Sequence, residues 1–172
     1  MSMELYIVEL HTRGRGGGRL QYLKVKFYRA LKRYSAFTLG GKHVVPQSRL
    51  PLVEAEFRAI YLELKREPDA DMWYSLTPLR AVVERLVAEG GPAATRQAER
   101  ILSEVWVRYG EKVRELERLA GRCRRAPRVY GAKLRKAVED AAAIASFLGP
   151  TAVSELKAKL EALQLEFKPD SS

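Results

Sequence analysis

The sequence predicts an α+β protein in which a sheet-forming domain, residues 1–78, precedes an antiparallel helical region, residues 79–167. Residues 3–76 alternate β-rich and helical segments in the order βαββαβ. A Gly-Gly pair separates the two central β-rich segments, as in a tight hairpin. The residues that follow have helical periodicity alone. This order in so short a chain is that of the split βαβ, or ferredoxin-like, arrangement.

Each element of the first domain has its own signal. The opening segment mixes β-branched and aromatic residues without helical spacing, which indicates a strand. Apolar residues between Leu20 and Tyr34 recur at alternating steps of three and four, which indicates a helix. Gly40-Gly41 suits the positive φ angles of a hairpin turn. The predicted elements are strand Met3–His11, helix Leu20–Tyr34, strands Ala36–Leu39 and Lys42–Pro46, helix Pro51–Arg66 and strand Met72–Leu76.

Capping residues divide the remainder of the chain into four helices. Thr77 and Pro78 form a cap and a first turn, and Gly90-Gly91 ends the helix that they begin. Gly149-Pro150 separates the last two helices in the same way. The predicted helices are Leu79–Glu89, 93–122, 130–148 and 151–165, and residues 168–172 are predicted to be a flexible tail.

The composition excludes several classes of protein. Of the 172 residues, 47% are apolar and 30% are charged, as in a globular protein with a buried core. Every apolar stretch is too short to span a membrane, and residues 1–10 lack the basic start and apolar centre of a secretory signal. Cys123 is the single cysteine, so no internal disulfide forms. A cytoplasmic protein with no membrane partner is therefore expected.

The net charge of +10 predicts an anionic partner. A basic protein attracts nucleic acid, acidic membrane surfaces and acidic proteins. Abundant Arg and Glu with few Asn and Gln are also typical of thermophilic proteins, in which ion-pair networks contribute to heat stability. Whether the positive charge serves an anionic partner or ion-pair networks depends on where the basic residues lie along the chain.

A first basic cluster lies in a glycine-rich segment, residues 12–19, that precedes the first helix. Its four glycines predict a flexible loop. Glycine-rich loops that lead into helix N-termini hold phosphate groups, so a phosphate contact is one interpretation. A plain mobile loop is the other, because the spacing matches neither G-x-G-x-x-G nor a P-loop. The candidate contacts are Arg13, Arg15 and Arg19.

A second basic cluster lies on either side of Pro127. No acidic residue occurs between Arg118 and Val138, so no neighbour in the sequence neutralises the cluster. We predict that its side chains contact nucleic-acid phosphates in a strongly salt-dependent manner. A solvated helix junction, with cations favourable at a helix C-terminus, is the alternative. The cluster comprises Arg122, Arg124, Arg125, Arg128, Lys133, Arg135 and Lys136.

Residues 20–46 resemble part of the amino-terminal domain of chromate-resistance regulatory proteins of the ChrB type. In that family a basic R-x-L-K phrase ends the first helix, a glycine hairpin follows, and a strand closes on a V-x-V-L-P-like phrase. Here Arg29-Ala30-Leu31-Lys32 and Val44-Val45-Pro46 occupy those places. The resemblance covers about the first 80 residues and implies a ferredoxin-like fold with a DNA-associated, regulatory role.

The same fold is similar to the small CRISPR-associated subunit that forms dimers on DNA and was first described as a nuclease. Such nucleases hold a metal ion with an Asp at the end of the first strand. The corresponding residues here are Glu9-Leu10-His11-Thr12, without an Asp. A metal-dependent nuclease is therefore the least favoured of the functions considered.

The predicted function is that of a non-enzymatic nucleic-acid-binding or regulatory protein, with DNA favoured over RNA. A homodimer through a sheet edge or the helices is compatible with it. An interaction or scaffold protein, whose long helices dock a partner, is the alternative. No Ser-His-Asp, Cys-His or paired-carboxylate arrangement stands out, and His11 with His43 lacks a third ligand. We therefore predict no catalytic residue, no metal site and no cofactor.

Overall fold

The structure is a computed structural model that describes residues 4–15 and 17–165. The predicted tail, residues 168–172, lies outside the described residues. Within them the chain is α+β, as predicted, with one four-stranded sheet and six α-helices. It divides into two compact units, Tyr6–Leu79 and a helical unit of residues 80–165 with residues 4–5. None of the described helices has the length and apolar character needed to cross a bilayer.

The first unit contains the sheet and two helices. Its strands lie in the order β2-β3-β1-β4. Strands β1 and β4 pair antiparallel from Tyr6 opposite Pro78 to Gly14 opposite Ala70, and β2 and β3 form a hairpin. The elements are β1 (Leu5–Gly14), α1 (Gly17–Tyr34), β2 (Phe37–Leu39), β3 (Lys42–Pro46), a short 3-10 turn (Gln47–Arg49), α2 (Leu50–Leu64) and β4 (Ala70–Pro78).

The hairpin between β2 and β3 turns on two glycines, as predicted. Gly40 has a φ of 56° and Gly41 a φ of 78°. Positive φ at both central residues is the geometry of a type I′ turn, whose twist matches that of the flanking strands. Leu39 pairs with Lys42 directly on either side of the turn. The glycines therefore set the register of this hairpin.

Most of the described residues of the glycine-rich segment, 12–15 and 17–19, belong to regular elements and not to the flexible loop that their composition predicts. Strand β1 continues through Arg13 and Gly14, which pair with Asp71 and Ala70 of β4. Helix α1 already begins at Gly17. Gly14 permits this close pairing because its φ is +99°, and a Cβ there would lie 1.8 Å from the carbonyl oxygen of Asp69. Strand pairing with a distant segment overrides the local preference of the glycines.

The core of the first unit lies between α1, α2 and one face of the sheet. Phe27 is fully buried and makes an edge contact with the ring of Phe57 in α2. The Tyr74 hydroxyl of β4 donates a hydrogen bond to the Glu54 carboxylate of α2. Burial and this hydrogen bond raise the pKa of Tyr74. The buried cluster comprises Val8, Leu20, Leu23, Phe27, Leu31, Val45, Val53, Ile60, Leu64 and Met72.

The helical unit consists of consecutive helices with almost no loops. A single residue, Ala126, separates α4 from α5, and its φ of −143° and ψ of 71° break the helical path. Pro127 is therefore the first-turn residue of α5, three residues before the predicted start at Tyr130. The helices are α3 (Leu79–Glu89), α4 (Gly91–Arg125), α5 (Pro127–Leu148) and α6 (Pro150–Ala162).

Helices α4 and α5 form an antiparallel hairpin, and α6 packs alongside them. Near the turn, Arg122 of α4 contacts Tyr130 of α5. Farther from the turn, Lys112 of α4 contacts Asp140 of α5, so residues equally distant in sequence from Ala126 lie opposite each other. The Tyr109 hydroxyl donates to the carbonyl oxygen of Ala152 at 3.2 Å, which ties α4 to the start of α6. The alanines of α5 permit close helix packing because they fill little space. The fully buried residues here include Leu116, Ala141, Ala143, Ile144, Leu156 and Leu160.

Candidate anion-binding site

A cleft of about 290 Å³ lies between α4 and α5, close to the turn that joins them. Both helices present charged side chains to this space. Its lining combines five cations, two carboxylates and one aromatic ring. The lining residues are Lys112, Glu115, Arg118, Leu119, Arg122, Tyr130, Lys133, Lys136, Ala137 and Asp140.

The floor of the cleft is formed by buried residues, among them the fully buried Asp140. Its Oδ2 lies 2.9 Å from Nζ of Lys136 and 3.3 Å from Nζ of Lys112. Lys112 also lies 3.2 Å from the carboxylate of Glu115. A buried carboxylate is stable only when it is paired and hydrogen-bonded. The two lysines therefore neutralise Asp140 and join α4 to α5 at this point.

The rim of the cleft is cationic and exposed. The guanidinium carbon of Arg122 lies 5.8 Å from the centre of the Tyr130 ring, and Nζ of Lys133 lies 6.0 Å from it. These contacts are cation–π interactions, which leave the positive charge available to a further partner. Among the described residues, no carboxylate forms an ion pair with Arg118, Arg122 or Lys133.

The charges of the cleft favour an anion. Five cations against two carboxylates leave a net charge of +3 around a space of about 290 Å³. The two carboxylates already have lysine partners on the floor, whereas the rim cations have no carboxylate partner among the described residues. A cleft lined mainly by one sign of charge concentrates the field and raises the local concentration of counter-ions. The arrangement is therefore suited to a phosphate or similar group entering from the rim.

The structure brings together only part of the second predicted cluster. Arg122, Lys133 and Lys136 line the cleft, whereas the other four predicted residues do not. Arg124 donates from Nη2 to the carbonyl oxygen of Leu163 at 3.4 Å, on the side of α6. The predicted residues outside the cleft are Arg124, Arg125, Arg128 and Arg135, which are all exposed.

Sequence reasoning missed Lys112, Arg118 and Tyr130. These residues join the cleft because the hairpin folds α5 back along α4, which no local pattern reveals. A signal was nevertheless present in the spacing of the cleft residues along α4. Glu115, Arg118 and Arg122 are three and four residues apart and so share one face of the helix.

The arginines of the first predicted cluster lie in the other unit, and two of them have acidic neighbours. Arg13 lies 3.8 Å from Asp71, its partner across the sheet. Arg19 lies 3.0 Å from Glu63, which also binds Lys26 at 2.9 Å. The hydrogen bond from Lys26 lowers the pKa of Glu63. Arg15 donates its backbone N–H to the carbonyl oxygen of Asp69. The ion pairs of Arg13 and Arg19 offset part of the positive charge of the cluster, whereas the hydrogen bond of Arg15 involves only its backbone.

Helix α1 carries a basic face of its own. It has six cations and no acidic residue. Three of the cations, Arg19, Lys26 and Arg33, pair with carboxylates of α2. The other three lie among exposed apolar side chains, such as Tyr22 at 55% exposure and Val25 at 38%. These remaining cations are Lys24, Arg29 and Lys32.

The two histidines do not form a common site. His11 shares a hydrogen bond of 3.0 Å with the Ser75 hydroxyl and stacks on Trp73. His43 stacks instead on Tyr28 of α1, and burial lowers its pKa. Within residues 4–15 and 17–165, no group of three or more His, Cys, Asp or Glu side chains is arranged to hold a metal ion.

The chain was compared with protein-family models, with curated proteins and with solved structures. No match was found.

Proposed function

We propose that this protein binds nucleic acid without acting on it chemically, and that the cleft between α4 and α5 contacts the phosphates. The observation that carries the proposal is the cationic rim of Arg118, Arg122 and Lys133, which has no carboxylate partner among the described residues. Phosphate groups are the anions that nucleic acid presents, and arginine matches their geometry with two parallel hydrogen bonds. The net charge of +10 adds long-range attraction.

A regulatory role on DNA is the form of this function that we favour. The strand order β2-β3-β1-β4, with α1 and α2 on one face, supports a ferredoxin-like domain. Residues 29–32 and 44–46 resemble the corresponding phrases of chromate-resistance regulators of the ChrB type. That resemblance implies action on DNA rather than RNA. Fold alone does not determine function, so the charged cleft carries more weight than the resemblance.

A protein partner is the second candidate, and one observation favours it. Helix α4 exposes three large apolar side chains near its middle: Leu102 at 37%, Trp106 at 43% and Val107 at 57%. Exposed aromatic and apolar residues on one helix are typical of protein interfaces. This surface suits either a second copy of the chain or a docked partner, and a homodimer agrees with DNA regulation.

Binding to labelled DNA tests the proposal. We expect a duplex of about 20 base pairs or a single strand of the same length to raise fluorescence anisotropy at micromolar protein and low salt. The triple variant Arg118→Glu, Arg122→Glu, Lys133→Glu then binds at least about tenfold more weakly, because charge-assisted phosphate contacts are lost.

The matched control makes the same charge change elsewhere on α4. Arg96→Glu, Arg100→Glu and Arg114→Glu alter three exposed arginines that do not line the cleft. We expect this control to retain most of the affinity. If the native chain binds neither the duplex nor the single strand, the proposal is refuted. If the two variants lose the same amount of affinity, the contact lies outside the cleft.

A further inference from the structure

We infer that the cleft between α4 and α5 holds the terminal phosphate of a single nucleic-acid strand. The inference rests on the proposed function and adds to it the form of the ligand. A terminal phosphate is a monoester, which differs from the diester of an internal phosphate in charge and in access. The charge of a terminal phosphate and its access to a narrow space each match a property of the cleft.

The size of the cleft favours a strand end. Its volume of about 290 Å³ is at the lower limit of small-ligand pockets, which corresponds to roughly one nucleotide. A duplex presents its phosphates on a broad convex surface, so they meet the rim of a cleft but do not enter it. The last nucleotide of a single strand is free to enter, and proteins commonly recognise such unpaired ends.

The charge of the cleft fits a dianion. A phosphate monoester carries between about −1.5 and −2 charges at pH 7, whereas an internal phosphate diester carries about −1. The cleft has a net charge of +3, and its cations without a carboxylate partner among the described residues are Arg118, Arg122 and Lys133 on the rim. Two guanidinium groups and one ammonium group provide more donors than a diester, with its two free oxygens, can accept. The three free oxygens of a monoester use them more fully.

The two carboxylates of the cleft oppose this ligand only in part, because lysines neutralise them. Asp140 is held on the floor by Lys112 and Lys136, at 3.3 and 2.9 Å. Glu115 lies 3.2 Å from Lys112. Because lysines neutralise these carboxylates, the rim cations attract an anion at the rim more strongly than the carboxylates repel it.

Tyr130 provides a surface for the nucleoside next to the phosphate. Its ring lies between the two helices, 5.8 Å from the guanidinium of Arg122 and 6.0 Å from Nζ of Lys133. An aromatic ring beside two cations is the combination that single-strand-binding proteins use, with the ring for the base and the cations for the phosphate. The cleft thus contains a contact for each part of a terminal nucleotide.

Three single strands of one sequence, each about 12 nucleotides long, test the inference. One carries a 5′-phosphate, one a 3′-phosphate and one hydroxyl groups at both ends. We expect the 172-residue chain to bind one of the phosphorylated strands about tenfold more tightly than the strand with hydroxyl ends. The double variant Arg122→Gln, Lys133→Gln reduces the ratio of the two affinities to about one. The control variant Arg96→Gln, Arg100→Gln retains the tenfold ratio.

The outcomes separate the inference from the proposed function. Equal affinity for the three strands overturns the inference and leaves nucleic-acid binding intact, whereas no binding of any strand or duplex refutes both. Inorganic phosphate and adenosine monophosphate serve as competitors. If either one binds as tightly as the phosphorylated strand, the ligand is a free phosphate compound and the strand-end inference is wrong.

Discussion

Gly14 is the residue whose identity the fold constrains most visibly. It lies at the end of β1, opposite Ala70 of β4. Its φ of +99° is rarely adopted by other residues, and a Cβ would overlap the carbonyl oxygen of Asp69 at 1.8 Å. The atom in the way belongs to the backbone and is held by the N–H of Arg15, so a small side-chain movement does not relieve the overlap.

We expect Gly14→Ala to lower the free energy of unfolding by about 2 kcal/mol or more, from backbone strain and the clash together. Gly18→Ala is the matched control. Gly18 lies in α1, and a Cβ added there would meet no other atom within 4 Å. At that position the alanine is expected to be neutral or to stabilise by about 0.5–1 kcal/mol. Urea unfolding followed by circular dichroism measures both values, and equal stabilities would show that the end of β1 relaxes freely.

At the scale of elements, the hairpin of α4 and α5 depends on a buried ionic contact. Asp140 of α5 is fully buried and binds Lys112 of α4 as well as Lys136 of its own helix. Removing its charge leaves two ammonium groups facing each other near the floor of the cleft. The same change makes the cleft more positive, so stability and anion affinity are expected to move in opposite directions.

We expect Asp140→Asn to lower the free energy of unfolding by about 1–3 kcal/mol, since a buried charge-assisted contact is lost while a hydrogen-bonding group remains. Affinity for a single-stranded oligonucleotide rises at the same time. Glu99→Gln is the control, because it removes one negative charge from an exposed position on α4. Thermal unfolding and fluorescence anisotropy measure the two effects. A fall in both quantities would show that Asp140 shapes the cleft but does not limit its charge.

The elements that the sequence predicts well are those with local signals. Helix α3 lies at Leu79–Glu89 as predicted, and Gly90 with its positive φ follows its last residue. The Gly40-Gly41 hairpin is predicted for the same kind of reason. The predicted cap of α3 was wrong, because Thr77 and Pro78 are the last residues of β4 and pair with β1. The predicted end of β1 was wrong because its pairing with β4 spans the whole domain. Of the cleft, the sequence indicated Arg122, Lys133 and Lys136 only as members of a basic cluster. It did not indicate Lys112, which meets Asp140 only after the hairpin closes.

At the scale of the whole molecule, positive charge is concentrated on particular helices. Helix α1 has six cations and no acidic residue, and the sequence from Arg118 to Val138 has no acidic residue either. Several cations of α1 are paired with α2, whereas the rim of the cleft has no such partners among the described residues. A general attraction to polyanions is therefore expected from the charge of the whole chain, and a localised contact from the cleft.

The salt dependence of binding distinguishes these two contributions. Each phosphate contact adds about 0.9 to the slope of log K against log salt for duplex DNA and about 0.7 for single strands. On duplex DNA, where each rim cation meets a separate phosphate, we therefore expect Arg118→Gln, Arg122→Gln and Lys133→Gln together to reduce the slope by about 2–3. Arg96→Gln, Arg100→Gln and Arg114→Gln, which change the net charge equally, are expected to reduce it by less than about 1. Titrations of labelled DNA between about 50 and 200 mM salt give both slopes. Equal reductions would mean that the whole-molecule charge binds the polyanion and that the cleft is only one of many contacts.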